Sequence, residues 1–223
     1  MGRTFTAATT LRMAAAAVVT LIALPAGAVT ITDPVGDFIP AFSGTHSGDI
    51  DVVSASVTFD GTDFHFNATL DGAIGTLSTS LYVIGVNRGA ATSNFAAPPI
   101  NLPGVVFDTV VTMTGTGVTG GRDLITNTAL VLPVGAAHIA GDSFELDVPL
   151  SLLPSAGFSP LQYGFNLWPR DISVTADATH TPIADFAPNN ATFVATAVPE
   201  PMSLALLGSG LLGMCLVRRR SRD

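Results

Sequence analysis

Four aspartates lie within nineteen residues, Asp33 and Asp37 in Asp33-Pro34-Val35-Gly36-Asp37, then Asp49 and Asp51 in Gly48-Asp49-Ile50-Asp51. Carboxylates at this density suit a hard divalent cation, which gathers about six to eight oxygens from carboxylates, carbonyls and water. Asp49 and Asp51 share the parity of Val53 and Val57. If a strand already runs through them, both side chains point into the core, where an unpaired carboxylate costs several kcal/mol. Either the strand begins after Asp51, or a cation neutralises the pair at the mouth of the fold. Calcium is the expected ion, with Asp33, Asp37, Asp49 and Asp51 as its carboxylate ligands. The alternative is that all four are turn and capping residues in solvent.

Two further groups could do chemistry. Trp168, the single tryptophan, lies in Asn166-Leu167-Trp168-Pro169-Arg170-Asp171. On the outer face of a strand end it would stack on a sugar ring, with Asp171 and Asn166 bonding the hydroxyls, which makes Trp168 and Arg170 the candidate ligand-binding residues. The competing expectation packs Trp168 under the loop that follows. Glu145 and Asp147 project from one face of one strand, about 7 Å apart between Cα atoms. Paired glycosidase carboxylates instead flank a cleft from different elements, so a solvated sheet face is expected, and a surface hydrolase rests on this pair alone. His46, His65, His138 and His180 show no paired metal spacing. The sequence contains no Gly-x-Ser-x-Gly elbow, no lysine, and one cysteine, Cys215. The glycines of 115–122 lack a phosphate-loop lysine. No catalytic residue is expected, and the chain is read as a non-enzyme.

The elements that must hold these residues read as strands. Val53, Ala55, Val57 and Phe59 alternate to one face, and after Asp60-Gly61 the alternation resumes with Phe64, Phe66, Ala68 and Leu70. That is a hairpin signal; a loop of two or of four residues keeps both apolar sets on one side. Further strands are expected over 81–86, 105–114, 124–132, 143–150, 161–167 and 191–197. The clearest puts Phe144, Leu146, Val148 and Leu150 inward. Asp71-Gly72, Pro98-Pro99, Gly115-Thr116-Gly117, Gly120-Gly121 and Gly141-Asp142 read as turns, 151–156 as one helical turn, and 176–190 as a long loop. Short strands without intervening helices predict an all-β fold, an antiparallel β-sandwich of jelly-roll type.

Both chain ends read as processing segments. Arg3 and Arg12 precede an apolar run over 13–24 and then Pro25-Ala26-Gly27-Ala28, a secretory signal peptide over 1–28 with cleavage after Ala28. The domain is then 29–197, with three arginines against fifteen acidic residues and a net charge of −12. Nucleic acid and anionic lipid surfaces are poor partners for it. Having no cysteine, it has no disulfide.

At the other end stand Val198-Pro199-Glu200-Pro201, sixteen uncharged residues from Met202 to Val217, and then Arg218, Arg219, Arg220 and Arg222. As a helix the run is about 24 Å long, enough to cross a bilayer with local thinning and the arginines on the cytoplasmic side. In this order, box, apolar run and basic cluster over 198–223 resemble the PEP-CTERM sorting signal of Gram-negative bacteria that make exopolysaccharide. The resemblance implies an exosortase, a membrane transpeptidase, as processing partner after the secretion machinery. It implies a precursor held in the inner membrane, then a surface or extracellular protein, structural or associated with exopolysaccharide in a biofilm matrix. A plain tail anchor is the alternative. Separately, Asp33 to Asp37, Gly48 to Asp51 and Phe144-Glu145-Leu146-Asp147-Val148-Pro149-Leu150 resemble the carbohydrate-binding, family 9-like (DOMON-like) β-sandwich modules. That resemblance implies structural calcium and a calcium-dependent carbohydrate-binding module as the alternative function.

Overall fold

A computed structural model describes residues 28–198; the expected signal helix and C-terminal sorting helix lie outside them. Among the described residues no helix is long and apolar enough to cross a membrane. The strands are β1 (Thr30–Thr32), β2 (Val52–Phe59), β3 (Asp63–Leu70), β4 (Ser80–Asn87) and β5 (Thr92–Ser93). They continue as β6 (Val106–Phe107), β7 (Thr109–Thr114), β8 (Thr119–Asp123), β9 (Thr128–Ala129) and β10 (Ala137–Ala140). The last are β11 (Ser143–Pro149), β12 (Gly164–Asp171), β13 (Phe193–Val194) and β14 (Thr196–Ala197). One sheet has the order β1-β2-β3-β11-β10, with β14 also on β2; the other has the order β13-β12-β4-β7-β8-β9, and β5 and β6 form a ribbon. The fold is an antiparallel β-sandwich, as expected, with β14 pairing parallel to β2.

Strand alternation builds the core between the sheets. Val57, Phe64, Phe66, Leu146 and Val148 from the first sheet meet Tyr82, Ile84, Val111, Phe165 and Leu167 from the second. Phe66 and Phe165 meet edge-on at 5.2 Å between ring centroids, a favoured aromatic geometry. A second apolar cluster covers the opposite face of β4 and β12, where Val83 and Trp168 pack under Ile39, Phe42, Ile50, Ile183 and Phe186. These two strands are therefore buried on both faces, which two-fold alternation does not signal.

Four expectations change in detail. Val53 is not a core residue, because the β2-β3 register shifts between Val52 and Ser54 and turns Val52 inward instead. Gly120 and Gly121 are not a turn: they lie within β8, where a Cβ on Gly121 would stand 2.5 Å from the Val110 carbonyl oxygen. The strand expected over 124–132 is instead a turn over 124–127 with Asn127 at φ +58°, then the short β9 and an irregular run to residue 132, with β8 ahead of it. The strand expected over 161–167 starts at Gly164 and runs on through Trp168, because Ser159 and Gln162 cap a short 3-10 turn ahead of it.

Asp108 interrupts the strand expected over 105–114 and serves the most buried basic side chain among the described residues. Arg88 is 1 % exposed. Its Nε donates to Asp108 Oδ1 at 2.7 Å, Nη2 to Asp123 Oδ2 at 2.9 Å, and Nη1 to the Pro154 carbonyl at 3.0 Å. The guanidinium ties β4 to the β6-β7 junction and to the end of β8.

The β2-β3 hairpin has the four-residue loop, since Phe59 pairs with Phe64. Asp60 Oδ1 accepts the amides of Thr62 and Asp63, each at 2.8 Å, and those hydrogen bonds hold its carboxyl below the usual range. Gly61 has φ +103°, a region strained for any β-branched residue. Gly61→Val is expected to destabilise the domain by about 1 kcal/mol or more. Chemical denaturation checks this, and an unchanged midpoint would refute it.

Candidate cation site

Three segments, two close in sequence and the third from near the end of the domain, meet at the start of β2. After β1 the chain turns at Gly36, with φ +82°, and brings Asp33 and Asp37 over the sheet end. The 3-10 turn Gly48–Ile50 then delivers Asp51, 2 % exposed, just ahead of the strand. The third segment is a strap after β12. Leu167 and Ala187 exchange backbone hydrogen bonds at 2.9 and 2.8 Å, and the Ala184 amide donates to the Pro169 carbonyl at 3.0 Å. Asn166 Nδ2 secures the strap at the Pro188 carbonyl, 2.6 Å away. Asp185, fully buried, is held on this strap.

Carboxylate oxygens of Asp33, Asp37 and Asp185 lie within 4.8 Å of one another. Asp185 Oδ2 accepts the Val52 amide at 2.8 Å and Oδ1 the Phe186 amide at 2.6 Å. Asp51 Oδ2 accepts the Gly36 amide at 2.7 Å, and Asn189 Nδ2 donates to Asp37 Oδ2 at 2.7 Å. Asp33 Oδ2, Asp37 Oδ1 and Asp51 Oδ1 are shielded from solvent and accept no hydrogen bond from any described residue. None of the four aspartates has an ion pair among the described residues.

The electrostatics follow from that crowding. Burial, followed by the charges of Asp185, Asp37 and Asp51, pushes the Asp33 carboxyl up to about 8. Burial also raises Asp185 to about 7, against the Val52 amide, which favours its anion. Asp51 is raised by burial too, although the Gly36 amide opposes the shift. Such a cluster holds either protons or a cation. An all-oxygen set of hard donors suits calcium or magnesium.

Of the expected ligands, Asp33, Asp37 and Asp51 converge here, and Asp49 does not. Asp49 is buried, but it is satisfied by the Ser47 hydroxyl at 2.6 Å and the Leu77 amide at 2.9 Å. The strand does begin after Asp51, so burial of both residues comes from the 3-10 turn and not from strand parity. Asp185 was missed by the sequence reading. The signal available was an acidic residue alone between Ile183-Ala184 and Phe186-Ala187, an apolar setting that hides a carboxylate only if something partners it.

The sugar-stacking arrangement is corrected. Trp168 is 3 % exposed, wedged against Phe107 at 4.7 Å and Phe95 at 5.3 Å between ring centroids, with Phe186 of the strap over it. No face is free to stack. Asn166 and Asp171 are also engaged, Asn166 with the strap and Asp171 with Thr79 and Ser173. Arg170 remains partly exposed, and burial lowers its pKa.

Of the expected sorting residues only Val198 lies among the described ones; Pro199, Glu200, Pro201, Arg218, Arg219 and Arg220 lie outside them. The Val198 amide donates to the Phe59 carbonyl at 2.9 Å, so sheet pairing continues up to the Pro-Glu-Pro box. Residues 197–221 match the PEP-CTERM protein-sorting motif. The motif marks an exported protein, anchored in the membrane as a precursor and processed by an exosortase. No curated protein matches the chain. The family 9-like resemblance gains no support from these comparisons.

Proposed function

We propose that the chain is a non-enzymatic structural protein of the cell surface or extracellular matrix, associated with exopolysaccharide and carrying calcium at Asp33, Asp37, Asp51 and Asp185. The observation that carries this reading is the sorting motif joined directly to a folded acidic domain in which Asp33, Asp37, Asp51 and Asp185 cluster with no basic partner among the described residues. A folded unit without lysine or disulfides draws added stability from a cation where calcium is plentiful. The engaged Trp168, Asn166 and Asp171 favour a structural role over a stacking glycan site.

Fractionation of the native host tests the proposal. The mature protein is expected in the polysaccharide-containing matrix or surface fraction, with an intact mass that starts at Val29 and lacks Arg218 to Arg220. Recovery only with the inner membrane, at the mass of a chain retaining those arginines, would overturn it.

A further inference from the structure

The outer face of the first sheet carries a second constellation that the calcium reading does not use. On β3 and β11, His65 stands directly opposite Asp147, and two residue pairs further along, on the same face, Glu145 stands opposite Asn67. Glu145 also pairs with His138 on β10, and paired residues of an antiparallel ladder share a face. One donor atom each from His65, Glu145 and Asp147 lies within 4.8 Å of the others. We propose that His65, Glu145 and Asp147 form a metal site for a first-row transition ion such as Zn(II), with the imidazole of His138 as a fourth donor.

The donor chemistry separates this site from the first. Imidazole nitrogen with carboxylate oxygen suits zinc and its neighbours, whereas the Asp33 cluster offers oxygen alone. The orientation of His65 fits as well. Its Nε2 lies 3.4 Å from Asp60 Oδ2, while Nδ1 lies 2.6 Å from Asp147 Oδ1. A carboxylate on the far nitrogen is the usual outer partner of a metal-bound histidine, since it fixes the tautomer and leaves the other lone pair for the ion. A tetrahedral zinc ion with ligands at about 2.0 to 2.2 Å spaces its donors about 3.3 to 3.5 Å apart. Reaching that spacing requires the 2.6 Å contact between His65 Nδ1 and Asp147 Oδ1 to open by about 0.7 Å, with Glu145 drawn in from within 4.8 Å. β3 and β11 are both interior strands of their sheet, so the scaffold is rigid. Charge favours a cation too. Asp60, Glu145 and Asp147 surround one imidazole, while Arg88 and Arg122 are engaged elsewhere and Arg170 lies in the other sheet.

The test is calorimetric titration of zinc into the processed, exported protein, with millimolar calcium present to fill the oxygen site. One zinc per chain is expected. His65→Asn and, separately, Glu145→Gln should each weaken binding about tenfold or more, while Asp185→Asn leaves it unchanged. Glu145→Gln alters an exposed side chain and tests the site without threatening the fold. Absence of saturable zinc binding would overturn the proposal, as would wild-type affinity in the folded Glu145→Gln and His65→Asn proteins. Loss of zinc binding in Asp185→Asn alone would place the ion at the first cluster and overturn it as well.

Discussion

Millimolar calcium raises the melting temperature of the exported domain well beyond what sodium does at equal ionic strength. This is the expected result of an ion that binds the folded state only. A hundredfold excess over the dissociation constant contributes about 2.7 kcal/mol, or about 5 to 10 °C for a domain of this size. Sodium is the necessary control, because screening alone relieves repulsion in so acidic a chain. The increment should disappear in Asp51→Asn and Asp185→Asn and survive in Asp49→Asn, whose carboxylate bonds to Ser47 and Leu77 instead. Equal responses to the two salts, or a wild-type increment in Asp185→Asn, would remove the calcium site. The pH dependence has a definite sign. In the ion-free protein Asp33 and Asp185 are raised from 3.8 to about 8 and about 7, so the folded state binds protons that the unfolded chain has released. Their stabilising contribution is complete below the unfolded value and is lost as pH rises through about 7 to 8. The calcium increment should therefore grow across that interval.

Arg88→Ala is expected to cost about 3 to 5 kcal/mol, because Asp108 and Asp123 are left charged and desolvated with their partner gone. In a thermal melt this is a fall of about 6 to 20 °C. Arg88→Lys should recover only part of the loss, since an ammonium cannot reach Asp108, Asp123 and the Pro154 carbonyl in the planar geometry observed. A variant that melts within about 1 kcal/mol of the parent would mean that solvent replaces the guanidinium at little cost.

Where one face of a strand meets core and the other meets water, the sequence was readable. Phe144, Leu146 and Val148 alternate with Glu145 and Asp147 and sit as expected, as do Phe64, Phe66 and Ala68. Legibility failed where a second layer covers the outer face. In β12 the burial of Leu167 and of Trp168 comes from opposite sides, so the outward parity of Trp168 said nothing about its exposure. Gly121 was misread for a related reason: its missing side chain serves close packing on β7, a tertiary demand that looks like turn chemistry in one dimension. In the cation cluster, Asp33, Asp37 and Asp51 are near neighbours in sequence and were legible as a group. Asp185 comes from 133 residues beyond Val52, and only the strap over Trp168 brings it there.

The two ends of the domain share one edge. β1 pairs with Ser54 to Ser56 of β2 and β14 with Thr58 and Phe59, and the Val29 amide donates to the Thr196 hydroxyl at 3.0 Å. Entry and exit therefore both lie beside the hairpin end of β2, whereas Asp51 and Asp185 gather at its start. The strand between them is about 23 Å long. A precursor held by its C-terminal tail is tethered at the hairpin end of β2, with the carboxylate cluster at the other end of the strand. If the cluster takes the proposed cation, it can load before the tail is cut, so release frees a finished body from a leash at its base.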